Sequence, residues 1–345
     1  MGHRLITAGV TAPQNDRGSI FEAKQALALD PGENVIEAVA YNKRNLLASL
    51  PGRMTLTYKS AGDSIKSKLH ILAVGINDYV DEGWAAPGRS DKLAFPKLRL
   101  AVRDATSFAE EAAKAAGGLY SDVRVRKVLD AEATPAGLAR AVKDMAAEIS
   151  PRDTFIFYAA AHGYSEQGRF YLIPQDYQGG DNPDALASLA IGQETIQDWV
   201  ANKIKAKKVV ILLDTCESGA LVSGYTKSRV DAPASEAALG RLHEATGRPV
   251  LTAAAEGKPA FEGYEGHGVF TWALLDALHH GDTNGNGVIE ISELAAHVQT
   301  MVPKISAQLN GRGRAAIAVR GSTTGSQSAH FGGTGGDFPL VSRLP

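Results

Sequence analysis

Three short apolar runs, at residues 69–76 (LHILAVGI), 154–158 (TFIFY) and 209–213 (VVILL), constrain this chain more than any other feature. A strand that is apolar along its whole length has both faces to bury, and a parallel sheet with helices on both sides is the arrangement that buries them. Helical spacing separates the runs. Leu98, Ala101, Val102, Ala105, Phe108, Ala109 and Ala112 predict one helix, which Gly117 and Gly118 end. A strand over 123–129 follows. Thr134 then caps a second helix, with Pro135 at its first position and Leu138, Ala141, Val142 and Met145 on its apolar face. A short strand at 170–173, a helix over 191–204, a strand at 249–253, helices over 269–279 and 291–302, and an edge strand at 315–319 complete the reading. The fold class is α/β, a mostly parallel sheet flanked by helices on both faces.

The first sixty residues differ. Partial alternation at 21–29, 34–41 and 53–59, with turns at Asp30-Pro31-Gly32 and Pro51-Gly52, predicts a small antiparallel β appendage. The chain therefore divides into residues 1–62, a main domain at 63–320 and a Gly/Ser-rich C-terminal tail at 321–345, expected to be loose over 321–336 before Phe338-Pro339-Leu340 either docks or frays. Charge is nearly balanced, 36 Lys and Arg against 38 Asp and Glu, with no block of one sign, so nucleic acid and membrane surfaces are not expected as partners. With no apolar stretch of spanning length and no secretory leader pattern at the start, the expected compartment is cytoplasmic.

In an open parallel sheet, functional groups collect beyond the carboxyl ends of the strands. The strand at 154–158 runs through three alanines into His162-Gly163, and the strand at 209–213 runs into Asp214-Thr215-Cys216-Glu217-Ser218-Gly219. Cys216 is the only cysteine. A single cysteine makes no internal disulfide, and its count alone favours an inert thiol, but its polar, turn-rich surroundings favour an accessible one. Parallel strands end at one edge, so an imidazole and a thiol in the neighbouring loops beyond those ends are expected to share a cleft open to water, as a Cys/His dyad requires. His267, in Gly266-His267-Gly268, is a rival histidine, but it leads into a helix rather than leaving a strand. A phosphatase loop would need arginine six residues after the cysteine, where Val222 stands.

Residues 68–306 resemble the caspase-like fold of clan CD cysteine peptidases, in particular the bacterial metacaspase or orthocaspase branch. The motifs that carry this are Leu69-His-Ile-Leu-Ala-Val-Gly75-Ile-Asn-Asp-Tyr, Leu98-Arg-Leu-Ala-Val-Arg-Asp104-Ala, Tyr158-Ala-Ala-Ala-His162-Gly163 and Asp214-Thr-Cys216-Glu-Ser-Gly219. The interval between His162 and Cys216 also agrees with the ~50 residues described for caspase-type peptidases. The resemblance implies that Cys216 is the nucleophile and His162 the general base and acid, with the N–H groups of Gly163 and Cys216 as the oxyanion hole. It further implies a primary pocket lined by Asp104 and Asp214, which attracts Arg or Lys and repels Asp. Protein or peptide substrates with basic residues are the implied partners, and no cofactor is needed for the chemistry. Ala160-Ala161 stand where the family usually has Ser-Gly or Ala-Gly.

A separate motif spans 282–293. Asp282, Asn284, Asn286, Val288, Glu290 and Glu293 fall at the ligand positions of an EF-hand loop, with Gly287 at the turn. Few acids and no partner hand predict weak calcium binding, activating or bracing; a Gly/Asn-rich helix connector is the plain alternative. Lys227, Arg229 and Arg241, in the linker at 219–248, are candidates for self-cleavage. The rival reading is a catalytically silent calcium-binding or protein-interaction scaffold on the same fold.

Overall fold

The computed structural model describes residues 29, 32–38, 49–50, 52–59, 67–80, 95, 97–166, 169–179, 183–217, 248–253, 261–311, 317–318, 327–332 and 337–345. The apolar run that opens the main domain forms β3 (Lys68–Gly75), buried along almost its whole length. Before it, β1 (Gly32–Ala38) and β2 (Gly52–Tyr58) make a separate two-stranded antiparallel sheet, and β2 is exposed throughout. The first β segment predicted from the sequence, at 21–29, lies outside the described residues except for Leu29.

After β3 come α1 (Ala101–Ala115), β4 (Asp122–Leu129), α2 (Pro135–Glu148) and β5 (Thr154–Glu166). Then follow β6 (Arg169–Leu172), α3 (Pro183–Leu189), β7 (Ile191–Gly192), α4 (Gln193–Gln197) and β8 (Lys208–Glu217). The helix expected over 191–204 is shorter than predicted: its first two residues pair with β6, and Asp198–Lys203 continue α4 as a widened π turn. Next are β9 (Val250–Thr252), β10 (Phe261–Tyr264), β11 (His267–Gly268), α5 (Val269–His280), β12 (Val288–Glu290) and α6 (Ile291–Gly311). The chain closes with β13 (Ile317–Ala318), β14 (His330–Gly332) and β15 (Pro339–Ser342).

The main sheet runs β14-β9-β8-β5-β3-β4, parallel along this path except for β14 at its edge, and β6 adds antiparallel to the end of β5 with β7 antiparallel beside it. The chain enters at β3, goes to β4 on one side, then returns across β3 to place β5 on the other. Right-handed crossovers in opposite directions put their helices on opposite faces. Accordingly α1, with α5 and α6, covers the face carrying Ile71, Ile156, Tyr158, Val210 and Leu212. The opposite face, with Leu72, Phe157, Ile211 and Leu213, packs on α2 and on Ile196 and Trp199 of the α4 region. This reversal between β3 and β5 opens the sheet at its carboxyl edge, where such folds bind ligands.

Local chemistry follows the sequence closely at α2, where the Thr134 hydroxyl accepts the Gly137 N–H at 3.0 Å. Helix α1 has no such cap of its own; the Asn77 side chain, in the loop after β3, accepts the Val102 N–H instead, at 3.2 Å. Asp130 joins that loop to the end of β4 by accepting the N–H groups of Asn77 and Asp78, at 2.7 and 3.0 Å. Gly75 is required by the close approach of α1, because a Cβ there would lie 2.7 Å from the Ala101 carbonyl oxygen.

At the C-terminus Phe338 and Leu340 dock rather than fray, and His330–Gly332, within the stretch expected to be loose, form a strand. β14 extends the main sheet beside β9, and β15 pairs with β12. Phe338, Leu340 and Val341 are buried, and the Tyr120 hydroxyl donates to the Leu340 carbonyl at 2.8 Å. Apolar side chains at alternate or adjacent positions in a Gly-rich stretch leave too little periodicity to reveal such a strand. Helix α6 likewise continues past the predicted end at 302 and past Pro303, because Ile305 remains part of its buried face. Among the described residues no helix is long and apolar enough to cross a membrane.

At the opposite, amino edge of the sheet, His70 is buried 3.5 Å from Asp153, which also accepts the N–H groups of Lys68 and Ser150. Burial lowers the His70 pKa from its ordinary 6.5, against the pull of Asp153. The unfolded chain takes up a proton there more readily than the folded one. Stability is therefore complete above the ordinary value and declines as pH falls through it. Urea unfolding at about pH 7.5 and about pH 5.5 should reveal a loss at the lower pH that is smaller in His70→Gln. Equal losses in the two proteins would contradict this assignment.

Candidate active site

The site is built on an overhang. β3 ends at Gly75, opposite Ala160, whereas β5 and β8 continue side by side beyond it. Their parallel register pairs Ala160 with Asp214, Ala161 with Thr215, His162 with Cys216 and Gly163 with Glu217. Positions 162 and 216 are thus register partners on adjacent strands, with backbones about 4.8 Å apart, and share a face of the sheet. Both lie within strands rather than in the loops after them, as the sequence had suggested.

His162 is held from several sides. Its N–H donates to the Tyr79 hydroxyl at 2.8 Å, and its carbonyl accepts the Ile173 N–H at 3.0 Å. The rings of Tyr79 and Phe95 lie 4.8 and 5.5 Å from the imidazole. These contacts bury His162 completely, at 0% exposure, where the sequence reading expected a face open to water. The aromatic cover comes from the segment after β3, which strand and helix periodicity does not place.

Gly163 follows on the same strand, which β6 flanks on the side away from β8. A Cβ on Gly163 would lie 2.9 Å from the Phe170 ring and 3.1 Å from Thr215, so packing between two strands demands glycine here. Gly163→Ala should therefore destabilise the fold by about 1–3 kcal/mol through displacement of Phe170. A denaturant midpoint unchanged from wild type would remove this packing role.

The two acids expected to line a pocket occupy different settings around one tyrosine. Tyr158 is fully buried; burial, then Asp214 and Asp104, raise its pKa well above 10, so its hydroxyl stays protonated. The Tyr158 and Thr271 hydroxyls are 2.5 Å apart, and Thr271 donates to Asp214 Oδ2 at 2.5 Å. Asp214 is half-buried. Asp104, in the first turn of α1, is 3% exposed, with Oδ1 2.7 Å from His267 Nδ1 and Oδ2 accepting the Gly268 N–H at 3.0 Å. The structure thus brings Asp104, Asp214, Tyr158, Thr271 and His267 together. Sequence reasoning considered His267 only as a rival to His162 and missed Tyr158 and Thr271; Gly266-His267-Gly268 was the one visible signal.

The loop at 282–293 is tied up internally. Asp282 accepts the N–H groups of Gly285 and Asn286 through Oδ1 and that of Gly287 through Oδ2. Glu293 Oε1 accepts the Thr283 and Asn284 N–H groups and the Thr283 hydroxyl, while Oε2 accepts the Glu290 N–H. Burial opposes ionisation of Glu293, but these hydrogen bonds and its pairing with Glu290 prevail and bring its pKa to about 2, while Glu290 is raised. Asn284 and Asn286 direct their side-chain amides at Glu290. Val288, whose carbonyl the motif would use, begins β12. Among the described residues no group of three or more His, Cys, Asp or Glu is arranged to hold a metal. Lys227, Arg229 and Arg241 lie outside the described residues. At the end of their linker, Arg248 is buried and donates to the Ala206 and Lys207 carbonyls.

A mostly parallel sheet covered by helices on both faces, with histidine and cysteine positions paired at its carboxyl edge, defines a caspase-type architecture. The chain belongs to the caspase-domain family of cysteine peptidases: the family model of the peptidase C14 caspase domain matches residues 71–325. Comparison with curated proteins finds no match. Among solved structures, protein GSU0716 from Geobacter sulfurreducens is similar at 16% identity and TM-score 0.47, over 77% of this chain and 92% of that one. Caspase-1 from Spodoptera frugiperda is similar at 14% identity and TM-score 0.43, over 78% and 87% respectively.

Proposed function

We propose that the chain is a cysteine endopeptidase of the metacaspase or orthocaspase type that cleaves after Arg or Lys. The observation that carries this reading is the register pairing of positions 162 and 216 at the carboxyl edge of a caspase domain. In the proposed reaction, the Cys216 thiol gives its proton to His162 and its sulfur attacks the scissile carbonyl carbon. The N–H groups of Gly163 and Cys216 receive the developing oxyanion. His162 then returns the proton to the departing amine, and water hydrolyses the acyl-enzyme. Because Tyr79 and Phe95 cover His162, turnover by this route requires those rings to yield when substrate binds.

Preference for a basic side chain rests on the two carboxylates, Asp104 and Asp214, gathered around the Tyr158 hydroxyl. A silent scaffold has no need of two acids beside a paired histidine and cysteine, which favours the enzyme reading over it. Calcium has no role in the proposed chemistry. Any calcium binding by the 282–293 loop would have to displace the backbone hydrogen bonds that its carboxylates already accept.

Fluorogenic peptides ending in Arg, Lys or Asp, each tested with calcium and with chelator, check this reading. Turnover of the Arg and Lys peptides is expected, with none of the Asp peptide. Cys216→Ala and His162→Ala should each lower kcat/KM by at least about 1,000-fold. Cleavage after Asp, or unchanged turnover in Cys216→Ala, would refute it. Self-cleavage at Lys227, Arg229 or Arg241 predicts fragments in the intact-mass spectrum of the wild-type protein that Cys216→Ala lacks.

A further inference from the structure

Resting on the basic specificity proposed above, the geometry points to a division of labour between the two acids. We infer that Asp214 alone receives the cationic side chain of the substrate, and that Asp104 and His267 form a positioning pair that locks the start of α5, from which Thr271 aims Asp214.

The two acids differ in access. Asp104 has a side chain only 4% exposed, and both of its oxygens are engaged: Oδ1 with His267 Nδ1 at 2.7 Å, Oδ2 with the Gly268 N–H at 3.0 Å. A guanidinium or ammonium group reaching Asp104 would have to break one of these hydrogen bonds within a dry site, at a cost larger than the bond is worth in water. Asp214 is half-buried and stands two residues before position 216, on the same face of β8 by alternation. Of the two acids, it is the one that substrate can reach from the proposed nucleophile.

The hydrogen bonds also have a direction. A carboxylate only accepts, so the Thr271 hydroxyl donates to Asp214 and must in turn accept from Tyr158. Tyr158 and Thr271 are both fully buried, so this chain fixes one rotamer of Asp214. Thr271 lies in the first turn of α5, and Gly268, its N-cap, is the residue whose N–H Asp104 holds. His267 is the residue before that cap, with a side chain 13% exposed. Gly266, left-handed at φ 83°, turns the chain tightly there; a Cβ on it would strike the Arg103 guanidinium at 2.7 Å. One buried carboxylate thus anchors the backbone and the side chain of the junction that carries Thr271.

The same geometry sets a tautomer. Facing a carboxylate, His267 Nδ1 must be the protonated ring nitrogen. In Asp104→Asn the new amide can accept the Gly268 N–H and turn its NH2 towards His267, which drives the proton to Nε2.

The test uses the full chain and a pair of peptides ending in arginine or in citrulline, its uncharged isostere. Wild type should cleave the arginine peptide in strong preference. Asp214→Asn should lower kcat/KM for arginine by about 30-fold or more, mainly through KM, and bring the arginine-to-citrulline ratio near one. Asp104→Asn should lower turnover of both peptides together while holding that ratio within about 3-fold of wild type. His267→Asn, whose amide N–H stands in for Nδ1–H, should retain more activity than His267→Ala, and serves if Asp104→Asn fails to fold. Imidazole 15N resonances should place the proton of His267 on Nδ1 in wild type and on Nε2 in Asp104→Asn. Collapse of the ratio in Asp104→Asn as in Asp214→Asn, or a wild-type His267 protonated on Nε2 alone, overturns the division of labour and leaves the basic specificity standing. A wild type that cleaves the two peptides alike, or neither, overturns the basic specificity itself.

Discussion

The parallel register between β5 and β8 is the constraint on which the rest of the site depends. A strand alternates its side chains with a period of two, so a slip of one residue would move His162 from opposite Cys216 to opposite Thr215 or Glu217, on the other face. The register cannot slip, because Phe155, Phe157, Val209, Ile211 and Leu213 are packed on one face while Ile156, Tyr158, Val210 and Leu212 are packed on the other. Both layers of the core would have to be broken at once. The pairing at the carboxyl edge therefore inherits its definition from side chains ten or more ångströms below it, at about 3.3 Å per residue along the strand.

Among the described residues, at least five carboxylates hold the backbone at turns and element starts. Asp130 holds the loop after β3, Asp153 the start of β3, Asp282 and Glu293 the loop between α5 and α6, and Asp104 the N-cap of α5. An ionised carboxylate offers several acceptor sites, and each buried N–H it satisfies removes a desolvation penalty. This explains why an acidic pattern with EF-hand spacing forms a self-contained turn: its oxygens face N–H groups of the same loop. It also explains how acids can be buried beside the proposed pocket without opposing folding.

The main strands and helices were legible because continuous apolar runs and the 3.6-residue repeat are local properties, as was the Thr134 cap. The joint placement of His162 and Cys216 was legible at one remove, since parallel strands end at one edge. Other features were not. Docking of Phe338 and Leu340 was one of two outcomes open in the sequence, but their partners, Tyr120 and β12, are far away in it. The cover over His162 comes from Tyr79 and Phe95, which belong to no periodic element.

By itself the sequence determined the layering of this protein: which segments extend, which coil, and which faces must be dry. It also placed a histidine and the only cysteine at strand ends, because those positions follow from chain order and from the direction of parallel strands. Tertiary structure alone decided what surrounds them. Burial of the imidazole, the pairing of Asp104 with His267 and the line from Tyr158 through Thr271 to Asp214 join residues more than fifty positions apart. Hydrogen bonds and ring contacts of this kind depend on distances of a few ångströms, which no local pattern of residues encodes.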